Sequence, residues 1–217
     1  MGMRVAKPTR AEKVQTNRTS VLAAARRVFL VKGYAGATLE AIAEEAGFSK
    51  GVVYSQFGGK ADLFLALLDA RIDERAAQNE RLAAAETGTA AIGALLANSD
   101  RDAQAEAGWA RVLIEFRSVA MRDPELNRRY AASHARTRQL LADLVERVLT
   151  GAGIEITIPP RTLAEFILAF GAGLALERAA DPDALSGPDQ FRIMSRALGL
   201  GPDDTAAAGS RSEEVVR

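Results

Sequence analysis

The sequence contains no cysteine and only one histidine among its 217 residues. The absence of cysteine excludes a disulfide framework, a thiol nucleophile and a cysteine-based zinc or iron–sulfur site. A single histidine excludes a cage of several histidine ligands around a metal. We therefore expect neither a metal nor a cofactor, and many classes of enzyme are excluded.

Long hydrophobic runs are also missing. The longest apolar run, Phe166 to Leu176, is eleven residues, which is short of the roughly 18 that a membrane span requires. The first ten residues are charged and lack the apolar segment of a signal peptide. We expect a cytoplasmic protein that makes no contact with a membrane.

The composition that remains is ordinary for a globular protein, with 48% apolar and 26% charged residues. The net charge of zero conceals an asymmetry: residues 1–60 hold ten Lys or Arg and only four Asp or Glu. A basic first quarter on an otherwise acidic chain is typical of a module that faces a polyanion. A basic end that is merely solvated remains the alternative.

Apolar residues follow a helical period along the whole chain, which predicts an all-α fold. A stripe from Val21 to Phe29 predicts a first helix over residues 17–32, ended by Gly33. Thr38 occupies an N-cap position for a second helix, which ends at Gly47. Ser49 is the N-cap of a third, very short helix, and a long helix begins at Lys60.

Two short helices joined by a glycine turn and braced by longer ones are typical of a helix-turn-helix unit. Ala43 is small where the two helices would cross, Gly47 can adopt the left-handed turn conformation, and Val53 is an apolar residue for the junction. Glycine-punctuated short helices also occur in other small helical domains, so the spacing alone leaves both interpretations open.

The segment from Thr38 to Lys60, TLEAIAEEAGFSKGVVYSQFGGK, resembles the TetR family of bacterial transcriptional regulators. The shared pattern is Thr, an Ile-Ala pair, Ala-Gly, Ser-Lys-Gly, Tyr-x-x-Phe and a lysine three residues later. The upstream residues from Val21 to Tyr34 match the first helix of that family as well. The resemblance covers about residues 17–75, and beyond them it is one of architecture only.

This resemblance implies a double-stranded DNA operator as the partner and assigns roles within the helix-turn-helix. Thr38, Tyr54 and Lys60 match residues that hold phosphates, whereas Lys50, Gly51 and Val52 match the exposed start of the recognition helix. The residues we expect to contact DNA are Thr38, Ser49, Lys50, Gly51, Val52, Tyr54, Ser55, Gln56 and Lys60. Tyr34 and Phe48 are expected in the core.

The sequence departs from the family pattern at two places. Many relatives carry a large residue and then histidine between the tyrosine and the phenylalanine, whereas this chain has Ser55 and Gln56. The operator sequence and the strength of that contact therefore cannot be carried over. The first sixteen residues are longer than the fold requires, and we expect a basic flexible arm that either follows DNA or is simply solvated.

The rest of the chain predicts a larger helical body. Helical stripes recur from Ala91 to Leu96, from Trp109 to Ala120 and from Leu126 to Val148. Asp123 and Pro124 predict the start of the last of these, and Gly151 its end. A buried helix follows from Leu163 to Leu174, then a final helix with Phe191, Met194 and Leu198, and a polar tail from residue 201.

The near-continuous apolarity of Phe166 to Leu176 predicts a helix that is buried on more than one side. The cover is either another subunit or the monomer itself. The resemblance favours a homodimer, in which the last two helices of each subunit form a four-helix bundle. The residues we expect at that interface are Ala169, Ala172, Gly173, Leu176, Phe191, Met194 and Leu198.

The resemblance also implies a pocket for a small-molecule effector in the helical body. His134 shares a helix face with Tyr130, so it is expected to point inward. The candidate pocket residues are Trp109, Phe116, Arg117, Tyr130, His134, Phe166 and Phe170. Each of them could equally be ordinary core, and a catalytic role for His134 lacks partners.

The sequence therefore predicts four segments. They are a flexible basic arm over residues 1–16, a DNA-binding domain over 17–62, a helical regulatory and dimerisation domain over 63–200, and a disordered tail over 201–217. The expected function is that of a homodimeric repressor, which a small apolar effector releases from a palindromic operator. The alternative is an architectural DNA-binding protein without a sensing pocket. No catalytic motif such as a P-loop or GxSxG is present, so we do not expect an enzyme.

Overall fold

The computed structural model describes residues 9–105, 107–155, 157–181, 183–186, 189–190, 192–193 and 196, and within these ranges all regular structure is helical. The helices in chain order are α1 (Arg10–Gly36), α2 (Leu39–Ala46), α3 (Lys50–Gln56), α4 (Lys60–Ala85), α5 (Thr89–Ala105), α6 (Ala107–Ala120), α7 (Pro124–Gly151) and α8 (Pro160–Ala180). The predicted all-α fold is confirmed for the described chain.

The chain divides into two compact units. The first contains the chain up to Ala70 together with Val112–Asn127, and the second contains Arg71–Arg111 and the chain from Arg128 onward. Helices α4, α6 and α7 contribute residues to both. The second half of α6 thus belongs to the same unit as the helix-turn-helix, which the linear domain boundary at residue 62 did not anticipate.

Helix α1 begins earlier than predicted. Thr9 is its N-cap: its hydroxyl accepts a hydrogen bond from the amide of Glu12, and the Glu12 carboxylate accepts one from the amide of Thr9. This capping box satisfies two backbone amides at the helix start. The expectation of a flexible arm over residues 1–16 is therefore wrong for Arg10–Thr16, which are helical, while residues 1–8 lie outside the described residues.

The predicted end of the first helix at Gly33 coincides with a break inside α1. Gly33 has a φ of +70°, a left-handed conformation that interrupts the helix. A Cβ added there would lie 2.6 Å from Oε2 of Glu115 on α6. That same carboxylate oxygen accepts a hydrogen bond from the amide of Ala35 at 3.2 Å. Glycine is thus required at this position by both its backbone angle and its neighbour.

The turn between α2 and α3 has the geometry that the sequence predicted. Gly47 adopts the left-handed conformation with φ +71° and donates to the carbonyl of Glu44, while the amide of Phe48 donates to that of Ala43. These two bonds form a Schellman motif that ends α2. Ala43 and Val53 are buried at the junction, so α2 and α3 are packed closely together.

Four aromatic side chains fill the core of the first unit: Phe29, Tyr34, Phe64 and Phe116. Phe64 stacks on Phe116 with ring centroids 4.3 Å apart and meets the edge of Phe29 at 5.3 Å. Tyr34 contacts all three of the others. Such pairs contribute about 0.5–1.5 kcal/mol each beyond the buried area. The expectation that Tyr34 belongs to the core is confirmed, whereas Phe48 is only half-buried.

The second unit has a separate apolar core, formed by Ile92, Leu149 and Leu163 from α5, α7 and α8. Helix α7 begins as predicted, because the Asp123 carboxylate accepts hydrogen bonds from the backbone amides of Glu125 and Leu126 in the first turn. Residues Phe191, Met194, Leu198 and the predicted tail lie outside the described residues. No helix in the described ranges is long and apolar enough to cross a membrane.

Candidate nucleic-acid interface

The start of α3 is exposed. Ser49 is its N-cap residue, but the Ser49 side chain makes no capping hydrogen bond to the helix amides. Ser49, Lys50 and Gly51 are all exposed, and the first two amides of the helix, those of Lys50 and Gly51, precede the first bond of the helix, in which the amide of Val52 donates to the carbonyl of Ser49 at 3.0 Å. This turn therefore presents a hydroxyl, an ammonium group and backbone donors to the outside.

Gly51 has no internal reason to be glycine. Its backbone does not have positive φ, and an added Cβ would meet only Oγ of Ser49, at 3.8 Å. Glycine inside a helix is destabilising by about 0.5–1 kcal/mol relative to alanine. A residue that costs stability and is not required by the fold is best explained by the close approach of something outside the chain.

Lys50 is exposed but already has an acidic neighbour. Its ammonium group lies 3.1 Å from Oε1 of Glu40 on α2, and the Lys50 side chain retains 63% of its accessible surface. The pKa of Glu40 is lowered, chiefly by a hydrogen bond to its own backbone amide and then by Lys50. Exposed ion pairs of this kind contribute little to stability because water and salt screen them, so Lys50 can exchange Glu40 for a base or a phosphate at little cost.

The remaining residues of α3 differ in how available they are. Tyr54 is 50% exposed, as a phosphate-contacting tyrosine requires. Val52 is half-buried, and Ser55 is exposed although its hydroxyl donates to the carbonyl of Val52 at 2.9 Å. Gln56 is half-buried, and its side-chain oxygen is shielded from solvent with no hydrogen-bond partner in the described structure. That oxygen is turned away from any ligand outside.

Thr38 has the capping role that was expected of it at the start of α2. Its hydroxyl oxygen accepts a hydrogen bond from the amide of Ala41 at 3.1 Å, and the residue is exposed. An exposed, capped helix N-terminus with a partial positive charge favours an anion nearby.

The ammonium group of Lys60 is held by the chain itself. Its ammonium group donates to three backbone carbonyls at the end of α1, those of Tyr34 at 2.9 Å, Ala35 at 3.2 Å and Ala37 at 3.0 Å. Burial lowers the pKa of Lys60, and nearby Glu115 opposes that effect. An ammonium group has three donors, and all three are used. Lys60 thus caps the broken end of α1, a role that the sequence did not predict, and its expected phosphate contact stays a prediction.

The predicted pocket residues are divided between the two units. Phe116 is fully buried in the aromatic core of the first unit, so its expected pocket role is corrected to a core role; Arg117, in the same unit, is exposed. In the second unit Tyr130 stacks on His134 with centroids 5.8 Å apart, and the guanidinium of Arg71 lies 4.4 Å from the ring centre of Trp109.

The other two pocket candidates lie on the outward side of α8. Phe166 and Phe170 stack on each other at 6.1 Å, and Phe166 is 53% exposed. With Ala169, Gly173 and Leu176 they form a stripe at helical spacing, which we call the α8 stripe. The opposite face of α8 packs into the second core through Leu163 and Ile167. The α8 helix is therefore apolar on both faces, and within the residues that the structure describes only one of them is covered.

A groove is also present in the second unit, between the end of α4, the start of α5 and the end of α7. Its volume is about 320 Å³, and small apolar residues including Ala83, Ala84 and Val148 line it. An ion pair of Arg147 with Glu80 at 2.5 Å forms part of the wall. None of the pocket residues that the sequence predicted lines this groove.

A compact helical unit with an exposed, basic recognition helix is typical of a helix-turn-helix DNA-binding regulator. The chain matches the family description "Bacterial regulatory proteins, tetR family" over residues 21–67 and "BetI-type transcriptional repressor, C-terminal" over residues 84–199. The second match alone covers more than half of the chain. The chain belongs to the TetR family of bacterial transcriptional regulators, which are DNA-binding proteins rather than enzymes.

Curated relatives are similar mainly in the DNA-binding region. The chain is 45% identical over 58 residues to the HTH-type transcriptional regulator TtgR of Pseudomonas putida, which covers 27% of this chain and 28% of that protein. It is 30% identical over 118 residues to the HTH-type transcriptional repressor AcnR of Corynebacterium diphtheriae, covering 54% of this chain and 57% of the relative. The chain thus spans well under two thirds of the length of these relatives.

Solved structures support the fold over a greater length. A putative transcriptional regulator from Rhodococcus sp. RHA1 superposes with a TM-score of 0.72 at 17% identity, covering 87% of this chain and 98% of that one. At this identity the similarity establishes the fold alone. The chain is thus a TetR-family regulator with the family's N-terminal helix-turn-helix and a larger helical C-terminal part.

Proposed function

We propose that the protein is a homodimeric repressor that binds a palindromic operator through the start of α3 and releases it when a small molecule binds the second unit. The observation that carries the DNA-binding part is Gly51, a helical glycine that the free fold does not require. Together with exposed Ser49, Lys50 and Tyr54, it provides close backbone approach, a base contact and a phosphate contact.

Dimerisation is supported by the α8 stripe. Phe166 and Leu176 are both more than half exposed on a helix whose other face is already buried. Exposed apolar faces of this kind mark association surfaces. A two-fold dimer would also double the contacts of a recognition helix that is only seven residues long.

Effector release requires a helix that belongs to both units. Helix α4 contributes Lys60–Ala70 to the first unit and the remainder to the second, and among the helices divided in this way it is the one that directly follows α3 along the chain, so we propose the coupling through it. A ligand can shift DNA affinity only by its difference in affinity for two arrangements of that helix, typically about 1–3 kcal/mol. Trp109, Tyr130 and His134 remain our candidates for contacting the effector, which we propose is a small apolar molecule.

Binding of sheared genomic DNA tests the DNA-binding part, because sequencing the retained fragments identifies the site directly. If the protein acts on the chromosome in the cytoplasm, the retained DNA should be enriched in a few fragments that share an inverted repeat. Uniform recovery of fragments would contradict the proposal.

A thermal-shift screen of small apolar compounds tests the effector part. A true effector raises the melting temperature and weakens operator binding, since both report one linkage. The architectural alternative is favoured if compounds raise the melting temperature without releasing DNA. It is also favoured if no compound raises the melting temperature and no compound releases DNA.

A further inference from the structure

The first two turns of α1 project beyond the core of the first unit. Every residue from Arg10 to Thr16 is exposed, whereas burial in α1 begins only at Val21. The Thr9–Glu12 capping box stabilises this projecting end as a helix. We call Arg10 to Asn17 the α1 overhang.

The overhang continues the core-facing side of α1. Helical positions four apart lie one above the other, so Arg10, Val14 and Arg18 form one line that continues into the buried stripe at Val21 and Ala25. Lys13 lies on the edge of this line, three residues from Arg10. The side of α1 that packs into the domain interior from Val21 onward is thus an exposed, basic face in the overhang.

This face carries no acidic residue. Glu12 is the only acid between Arg10 and Arg18, and its position two residues from Arg10 and from Val14 places it on the opposite side of the helix. There its carboxylate is bonded to Thr9. The charged groups on this side of the overhang, those of Arg10 and Lys13, and that of Arg18 directly after it, are therefore all cationic.

Arg18 fixes the overhang next to the recognition helix. Its guanidinium lies 4.5 Å from the ring centre of Phe57, the residue that directly follows α3. A seven-residue helix is only about 10 Å long, so the base-facing residues of α3 begin within about that distance of Phe57. The major groove is about 12 Å wide between its phosphate walls. The distance from Phe57 to the base-facing residues of α3 is therefore similar to the distance that separates these phosphate walls.

From this geometry we propose that the α1 overhang is a second DNA contact, in which Arg10 and Lys13 bind backbone phosphates flanking the bases that α3 reads. The inference rests on the proposed operator binding and extends it to flanking DNA. Contacts of this kind add affinity and fix register without reading sequence. The occupant is the DNA backbone because the face is cationic, has Val14 as its one large apolar side chain and is adjacent to the recognition helix.

The test uses the double variant Arg10→Gln/Lys13→Gln in the full-length chain. The probe is one DNA duplex selected by the wild-type protein from a random pool, prepared with long flanks and with flanks trimmed to the selected motif. The matched control is Lys32→Gln, which removes an exposed charge from the other end of α1. Because all of these side chains are exposed, circular dichroism and melting should be unchanged in each variant.

Wild type should bind the long duplex more tightly than the trimmed one, and the double variant should bind both alike. On the long duplex, the slope of log K against log salt should fall by about 0.9 for each phosphate that the variant no longer binds, whereas Lys32→Gln leaves the slope unchanged. The selected motif should not change, since the overhang reads no bases.

A double variant with wild-type slope and wild-type sensitivity to flank length would overturn the proposal. So would a change in its sedimentation without a change in DNA binding, because the face would then contact protein. Failure of the wild type to select any motif would instead contradict the proposed operator binding itself.

Discussion

The ammonium group of Lys60 lies 2.9 Å from the backbone carbonyl oxygen of Tyr34, at the broken end of α1. The same side chain is 4.7 Å from the centre of the Tyr34 ring, so it contacts this residue through both backbone and aromatic face. The contact joins α4 to the end of α1 in the helix-turn-helix unit. An exposed lysine that waits for a phosphate would have its ammonium group in solvent, whereas the ammonium group of Lys60 contacts carbonyl oxygens and an aromatic ring of its own chain.

Lys60→Met should therefore reduce stability more than DNA contact. Removing the ammonium leaves three carbonyls without their donor, and hydrogen bonds to a charged group contribute about 1.5–3 kcal/mol. We expect urea unfolding to show a loss of about that size, with an unchanged salt dependence of DNA binding. Lys50→Met is the matched control, because its exposed ion pair with Glu40 should contribute little to stability.

The opposite result would support the predicted phosphate-binding role of Lys60. A Lys60→Met protein of wild-type stability whose salt slope falls by about one unit would show a phosphate contact.

Gly51→Ala should separate fold from function. The change should stabilise the free protein by about 0.5–1 kcal/mol, because the backbone is helical and the added Cβ has room. DNA binding should weaken, since the methyl group stands where the DNA backbone or a base edge approaches. Denaturation and fluorescence anisotropy on the selected duplex measure the two effects.

Gly151→Ala serves as its control, because Gly151 is helical, has open space around it and lies in the second unit. It should leave DNA affinity unchanged. Equal DNA affinity for Gly51→Ala and wild type would remove the argument for close approach at α3.

Gly33→Ala should be more destabilising than Gly47→Ala. Both glycines have φ near +70°, so both substitutions incur backbone strain on the order of 1 kcal/mol. Only at Gly33 does the new Cβ meet a neighbour, Glu115, whereas nothing lies within 4 Å at Gly47. Thermal unfolding should rank them in that order.

A double-mutant cycle with Glu115→Ala tests the cause. Removing the carboxylate should recover part of the Gly33→Ala loss, giving a non-additive pair. Strict additivity would show that Glu115 is not what excludes a side chain at position 33.

Leu176→Lys should disrupt the proposed dimer and leave the protomer folded. The side chain is 52% exposed in the single chain, so a lysine there is readily solvated. In a dimer the same lysine would be buried without a partner, a cost of several kcal/mol. Sedimentation should show monomers at micromolar concentration, with helical content retained.

Lysine at Val31, 80% exposed on α1, is the corresponding control and should not change the oligomeric state. A Leu176→Lys protein that sediments like wild type would mean that the α8 stripe is not the interface.

The sequence was sufficient where local rules decide the structure. Thr38, Gly47 and Asp123 act as cap or turn residues because the required hydroxyl, carboxylate or missing Cβ is visible in the residue itself. The periodicity of α2, α4 and α7 identified these helices for the same reason. The helical start of α1 was missed, although Thr9 and Glu12 have the spacing of a capping box and could have revealed it.

What the sequence could not supply were contacts between distant residues. Phe116 has the pattern of a body helix, yet it packs with Phe64 in the first unit because α6 is divided between the two units. Lys60 matches the motif position of a phosphate ligand, but the carbonyls it binds are about 25 residues away along the chain. The outward position of Phe166 likewise depends on which face of α8 the second core covers.

The most direct test of operator reading by α3 is selection of DNA from a random-sequence pool, performed in parallel with wild type and Lys50→Ala. We predict that wild type selects an inverted repeat and that Lys50→Ala selects the same repeat with no preference at one position in each half. A wild-type pool without a common motif, or an identical motif from both proteins, would contradict the assignment of Lys50 and the start of α3 as the base-reading surface.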